Sequence, residues 1–166
     1  MDPAGGGRGD LIESLSAAAY GAVLWSHSWL RWVVLLLGGA TMIELLAPSR
    51  RREPKPPSRL HTLFIRLLGL QFLLGAVMYV FLSPLVRAAW SDWSVTMGEP
   101  TLRFFAIEHF FGMFLAVGAA HFGWIRLGRD VRWHTAAVIA QALWLVVTVL
   151  SIPWPFLAYG RALFRL

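Results

Sequence analysis

Two histidines, an arginine and a glutamate stand where a membrane-like sequence tolerates them least. His27 and Arg31 lie in the first of four long apolar runs, and Glu108-His109 lie in the third. Ionisable groups inside an apolar span are costly and mark sites or internal pairs. In an up-and-down bundle the first and third helices face each other diagonally, and His27 and His109 fall at one depth. Two imidazoles so placed are what a six-coordinate b-type haem requires. Arg31 follows His27 by one turn on the same face, so it could hold a haem propionate with the help of Arg103. A plain ion pair with Glu108, or snorkelling to the interface, serves Arg31 equally well.

A second set lies at the other end. His121 is twelve residues after His109, about 18 Å along a helix axis, and His134 opens the fourth apolar run across a short hairpin. His121 with His134 is therefore the candidate ligand pair for a second haem. Twelve residues leave His109 and His121 about 120° apart around the helix, so they do not share a face. His61, at the start of the second run, reads as a solvated interfacial residue. Gln71 and Gln141 could line a quinone pocket or bond across helices, and Glu44 is expected to reach the headgroups. The stripe His109, Gly112, Ala116, Ala119 and Gly123 suits either the approach of a flat macrocycle or close helix packing.

The elements that must position these groups follow from composition. Of 166 residues, 57% are hydrophobic and 14% charged, with nine Trp, eleven Phe and no Cys. That balance argues against a soluble enzyme, a nucleic-acid binder or a disordered chain. The absence of Cys excludes disulfides, thiolate metal sites, cysteine-ligated iron–sulfur clusters and covalent haem attachment. No nucleophilic triad, phosphate loop or zinc-protease helix is visible.

Each apolar run exceeds the roughly 20 residues needed to cross a bilayer, and must be helical to satisfy its own backbone. The predicted spans are about 22–47, 63–85, 102–126 and 134–157, giving an all-α integral membrane up-down four-helix bundle as one domain over 21–166. Residues 1–20 are expected to form a flexible tail and an amphipathic lead-in helix. The run Glu53-Pro54-Lys55-Pro56-Pro57 reads as a stiff linker.

Basic residues set the orientation. Arg50, Arg51, Arg52, Lys55, Arg59, Arg66, Arg126, Arg129 and Arg132 collect on one side against Glu53 and Asp130. On the other side Arg8, Arg87, Arg103, Arg161 and Arg165 are balanced by five acids. The positive-inside rule then places both termini and the middle connection outside, in the periplasm. Trp90 and Trp93 would sit at that outer interface.

The strings His27-Ser28-Trp29-Leu30-Arg31-Trp32, Arg103-Phe104-Phe105-Ala106-Ile107-Glu108-His109 and Ile152-Pro153-Trp154-Pro155 resemble a family of small bacterial four-helix inner-membrane proteins usually labelled "cytochrome b". The resemblance spans roughly residues 20 to 157. It implies a haem-associated protein of the bacterial inner membrane, with His27, Arg31, Glu108 and His109 on the shared strings. That family often has a second-span His near the position of Gly69, which is absent here.

The expectation is thus a b-type haem protein that carries electrons, with one haem or two, as a subunit of a larger respiratory or photosynthetic complex. The alternative is a haem-free accessory subunit. In it an Arg31–Glu108 pair fixes helix register, and Trp25, Trp29, Trp32, Trp144 and Trp154 face lipid, pigment or neighbouring subunits. A small haem enzyme acting on quinol or superoxide is a third reading, for which no substrate motif exists.

Overall fold

A computed structural model describes residues 4–47, 56–127, 129, 130 and 132–164. The linker residues through Lys55, with Arg50, Arg51 and Arg52, lie outside the described residues, as does Arg165. Among the described residues there is no strand, and four helical stretches are long and apolar enough to cross a membrane. The protein is an all-α membrane helical bundle.

Helix α1 spans Ala4–Leu46, 43 residues, or about 64 Å at 1.5 Å per residue. The lead-in helix and the first span are therefore one element, and the stretch expected as a tail is helical from Ala4 onward. Leu11, Ile12, Glu13, Leu15 and three consecutive alanines favour helix, and a formed span propagates into them without a new nucleus. Residues 9–19 are exposed throughout, so this end of α1 projects beyond the bundle.

Helix α2 covers Arg59–Val77 and continues as a π-helical turn over Met78–Leu82. Ser58 caps its start by accepting from the His61 N–H. The Ser58 hydroxyl donates in turn to Glu44 at 2.6 Å, so Glu44 ties the two helices together at this end. The second span stops at Leu82, short of the expected boundary. Ser83 is extended and Pro84 starts helix α3, Pro84–Ser91, because proline cannot continue the preceding helix. Asp92 then caps α4, Trp93–Gly98, so the middle connection is a pair of short helices. Trp90 and Trp93 stack on one another there, both exposed.

The third span is built in three parts. Helix α5, Pro100–Arg103, passes into a π-helical turn over Phe104–Glu108 and then into α6, His109–Arg126. Such π-turns concentrate where a helix serves a site. The last span, α7, covers Trp133–Leu150 and ends seven residues earlier than predicted. Pro153 and Pro155 withhold donors and restrict the residues before them. Residues 151–164 become a chain of turns that closes on itself when the Arg161 N–H donates to the Pro153 carbonyl at 3.0 Å.

Packing follows the up-and-down order, with α1 against α2 and α7, and α6 against α7 and α2. The first and third spans are diagonal. The core is Phe64, Leu68, Val34, Ala116, Ala120 and Trp144. The accessory-subunit alternative has Trp144 facing lipid, pigment or a neighbouring subunit; instead its ring is fully buried, edge-on to Phe64 with centroids 4.7 Å apart. Gly38 makes room for it, since a Cβ there would overlap the indole. Gln141 bonds across helices, donating to the Gly38 carbonyl at 3.0 Å and the Thr41 hydroxyl at 2.9 Å. In the α6 stripe, a Cβ on Gly112 would meet Ser151, and one on Gly123 would come within 3.2 Å of the Ala140 Cβ. Those two glycines seat α6 against the fourth span, which is the packing alternative.

Candidate functional site: a histidine pair across the bundle

α1 brings His27, and the π-turn into α6 brings His109, to opposite walls of one cavity. Their ring centroids are 6.5 Å apart and their planes 71° apart. Each ring is oriented by a backbone carbonyl. His27 Nδ1 lies 3.2 Å from the Gln71 carbonyl, and His109 Nδ1 lies 2.8 Å from the Ser151 carbonyl. A carbonyl oxygen only accepts, so both Nδ1 atoms carry the proton, and in the neutral rings Nε2 keeps the lone pair. Metal-binding histidines are oriented in this way.

The spacing can be checked against coordination chemistry. Metal–imidazole bonds run near 2 Å and a ring nitrogen lies about 1.1 Å from its ring centre, so two rings on one metal have centres roughly 6 Å apart. The observed pair meets that condition. Among the described residues no three His, Asp or Glu side chains converge on one point.

His27 is locked from a second direction. Gln71 Nε2 donates to the His27 carbonyl at 3.0 Å while His27 Nδ1 faces the Gln71 carbonyl. Gly75 clears the ring, for a Cβ there would lie 3.2 Å from His27 Cε1. The two π-turns meet at the same level: Tyr79, in the first, donates its hydroxyl to the Ala106 carbonyl, in the second, at 2.7 Å. A π-turn leaves carbonyls out of the ordinary i to i−4 ladder, which makes such an acceptor available.

The cavity has a volume of about 150 Å³, on the order of ten times what one water needs by the same measure. Its walls are mainly apolar, with Phe72, Phe105, Phe110 and Met113 prominent. Among the described residues, Arg31 and Arg161 are the charged ones in the lining, and no carboxylate is found there.

The other predicted residues take different places. Arg103 does not line the cavity; its guanidinium donates to Glu108 Oε1 at 2.8 Å and to the Met97 carbonyl at 3.0 Å. Glu108 forms this ion pair, in place of the Arg31–Glu108 pair of the accessory-subunit alternative. Arg31 donates instead to the Leu163 carbonyl at 2.8 Å. His121 turns its Nδ1 onto the Val117 carbonyl of its own helix at 2.9 Å, and His134 lies in the first turn of α7. Neither lines the cavity. His61 is buried, edge-on to Phe64, because it shares the inward face of α2 with Phe64 and Ile65; the solvated placement does not hold.

Arg161 was missed as a site residue. It sits past the last span, where sequence pattern shows only an interfacial cation, and the turns after Pro153 are what return it to the cavity. Comparison with family models, with curated proteins and with solved structures yields no match.

Proposed function

We propose that this chain binds one b-type haem between His27 and His109 and carries electrons within the bacterial inner membrane, as a subunit of a larger respiratory or photosynthetic complex. The observation that carries the reading is the histidine pair: two rings 6.5 Å apart on diagonal helices, each with Nδ1 held by a backbone carbonyl. The strings that resemble the "cytochrome b" family contain both histidines.

The haem, when bound, supplies a one-electron couple. The chain supplies everything that holds it. His27 and His109 present Nε2, while Gln71 and Ser151 fix both rings through their carbonyls. Phe72, Phe105, Phe110 and Met113 keep water from the site, which lowers the local dielectric. Arg31 adds a positive charge near the same wall. With the basic connections facing the cytoplasm, this site lies in the periplasmic half of the membrane. The accessory-subunit alternative is weakened by the loss of its register pair, since Glu108 is held by Arg103.

The test is a dithionite-reduced minus oxidised spectrum with pyridine haemochrome quantification on protein produced with ample haem. A sharp α-band with one haem per chain is expected. His27→Ala and His109→Ala should each lose that six-coordinate spectrum, whereas His121→Ala and His134→Ala should keep it. Haem-free protein, or an unchanged spectrum in His109→Ala, refutes the assignment.

A further inference from the structure

The geometry points to Arg161 as the residue that binds the anionic edge of the cavity's occupant, which makes the C-terminal segment 151–164 part of the site. This rests on the haem reading above and assigns to Arg161 one of the two carboxylates that a haem carries.

The segment is fixed against α1 and the third span. The Leu163 carbonyl accepts from Arg31 Nη2 at 2.8 Å and from the Trp32 indole at 3.3 Å. Phe164 stacks on Trp32 with centroids 5.3 Å apart, and Tyr159 stacks on Phe104 at 3.9 Å. Between these anchors the Arg161 guanidinium lies over the Phe105 ring at 4.4 Å and lines the cavity.

The charge balance then calls for an anion. Arg161 lines the cavity, no carboxylate among the described residues does, and none of the described Asp or Glu residues forms a salt bridge with Arg161. A cation lining an apolar cavity within a membrane bundle is costly unless an anion or water meets it. Arg103, the other sequence candidate for this role, is engaged by Glu108 and Met97 outside the cavity. A guanidinium matches a carboxylate with paired N–H donors, and Phe105 holds its plane in place.

The test uses full-length apoprotein in detergent, titrated in parallel with haem and with haem dimethyl ester, whose carboxylates are masked. Unaltered protein should prefer the free diacid by roughly tenfold or more, the range for a charged hydrogen bond. Arg161→Gln should lose most of that preference while keeping the bis-histidine spectrum, and Arg161→Lys should retain part of it. An equal affinity for diacid and ester in the unaltered protein overturns the proposal, whatever the folding of the variants. So does an undiminished preference in Arg161→Gln, which would assign Arg161 to a lipid headgroup. Binding of neither form removes the haem reading and this assignment together.

Discussion

Replacing Gly38 by Ala should damage the bundle far more than the same change at Gly39, one residue away. At Gly38 a Cβ would overlap two atoms of the six-membered ring of Trp144 and lie 3.0 Å from Phe64 Cε2, whereas at Gly39 it meets nothing within 4 Å. Neither aromatic has room to retreat, because both are fully buried and packed edge to face. The backbone at Gly38 is also pinned, its carbonyl accepting from Gln141 and from Thr41. Overpacking of a filled core costs about 1–3 kcal/mol, and expelling the indole altogether would cost about 3–5 kcal/mol. Alanine returns about 1 kcal/mol of helix propensity at either position. Gly38→Ala should therefore lose up to about 2 kcal/mol net if the indole stays in place and about 2–4 kcal/mol if it is expelled, while Gly39→Ala should be neutral or slightly stabilising. Thermal unfolding in detergent, followed by tryptophan fluorescence and size exclusion, reads both. Trp144→Phe removes the colliding ring atoms, so the double variant should be clearly less damaged than the two single effects combined. Equal melting of the two glycine variants, or strict additivity in the double variant, would sink the packing argument.

Two further outcomes are expected. Gly112→Ala should weaken haem binding by roughly tenfold, because its Cβ would meet Ser151, whose carbonyl orients His109, and losing such an orienting bond costs about 10–100-fold in metal affinity; pairing it with Ser151→Gly should restore binding, and a haem titration of the two variants checks this. With no native cysteine, single cysteines at exposed Ser91 and Arg129 should be labelled by an impermeant maleimide from opposite sides, Ser91 from the periplasm. Labelling of Arg129→Cys in intact spheroplasts would reverse the orientation.

The four spans were legible because a bilayer forces long apolar helices. His27 and His109 were legible because a polar group in such a run stands out. What faces inward was harder to read, since lipid and core are equally apolar and hydropathy cannot sort them. In the accessory-subunit alternative Trp144 therefore faces lipid, pigment or a neighbouring subunit, and His61 reads as a solvated residue. Arg103 looked like the second cation because it lies within a short run of His109, but Glu108, five residues on, takes it. Arg161 depends on turns set by Pro153 and Pro155, and no periodicity carries across them. The early end of α7 has the same origin. The long α1 went unread at its start because the glycines near the terminus masked the helix-forming run behind them.

The paired π-turns, Met78–Leu82 and Phe104–Glu108, have a consequence for how this chain tolerates changes of length. Each turn holds one residue more than an α-helix would, and one residue is worth about 100° of rotation. Residues before and after each turn therefore belong to two differently phased helices joined end to end. In the third span the first residue of the turn, Phe104, stacks on Tyr159, and the later phase seats Gly112 against Ser151. A one-residue deletion inside 104–108 would regularise the backbone yet swing every preceding side chain off its partner, and would strip Tyr79 of the Ala106 carbonyl it bonds. The matching turn in the second span would remain, now out of step. At this level the two spans are indexed to each other, so an insertion or deletion in one is tolerable only with a compensating change in the other.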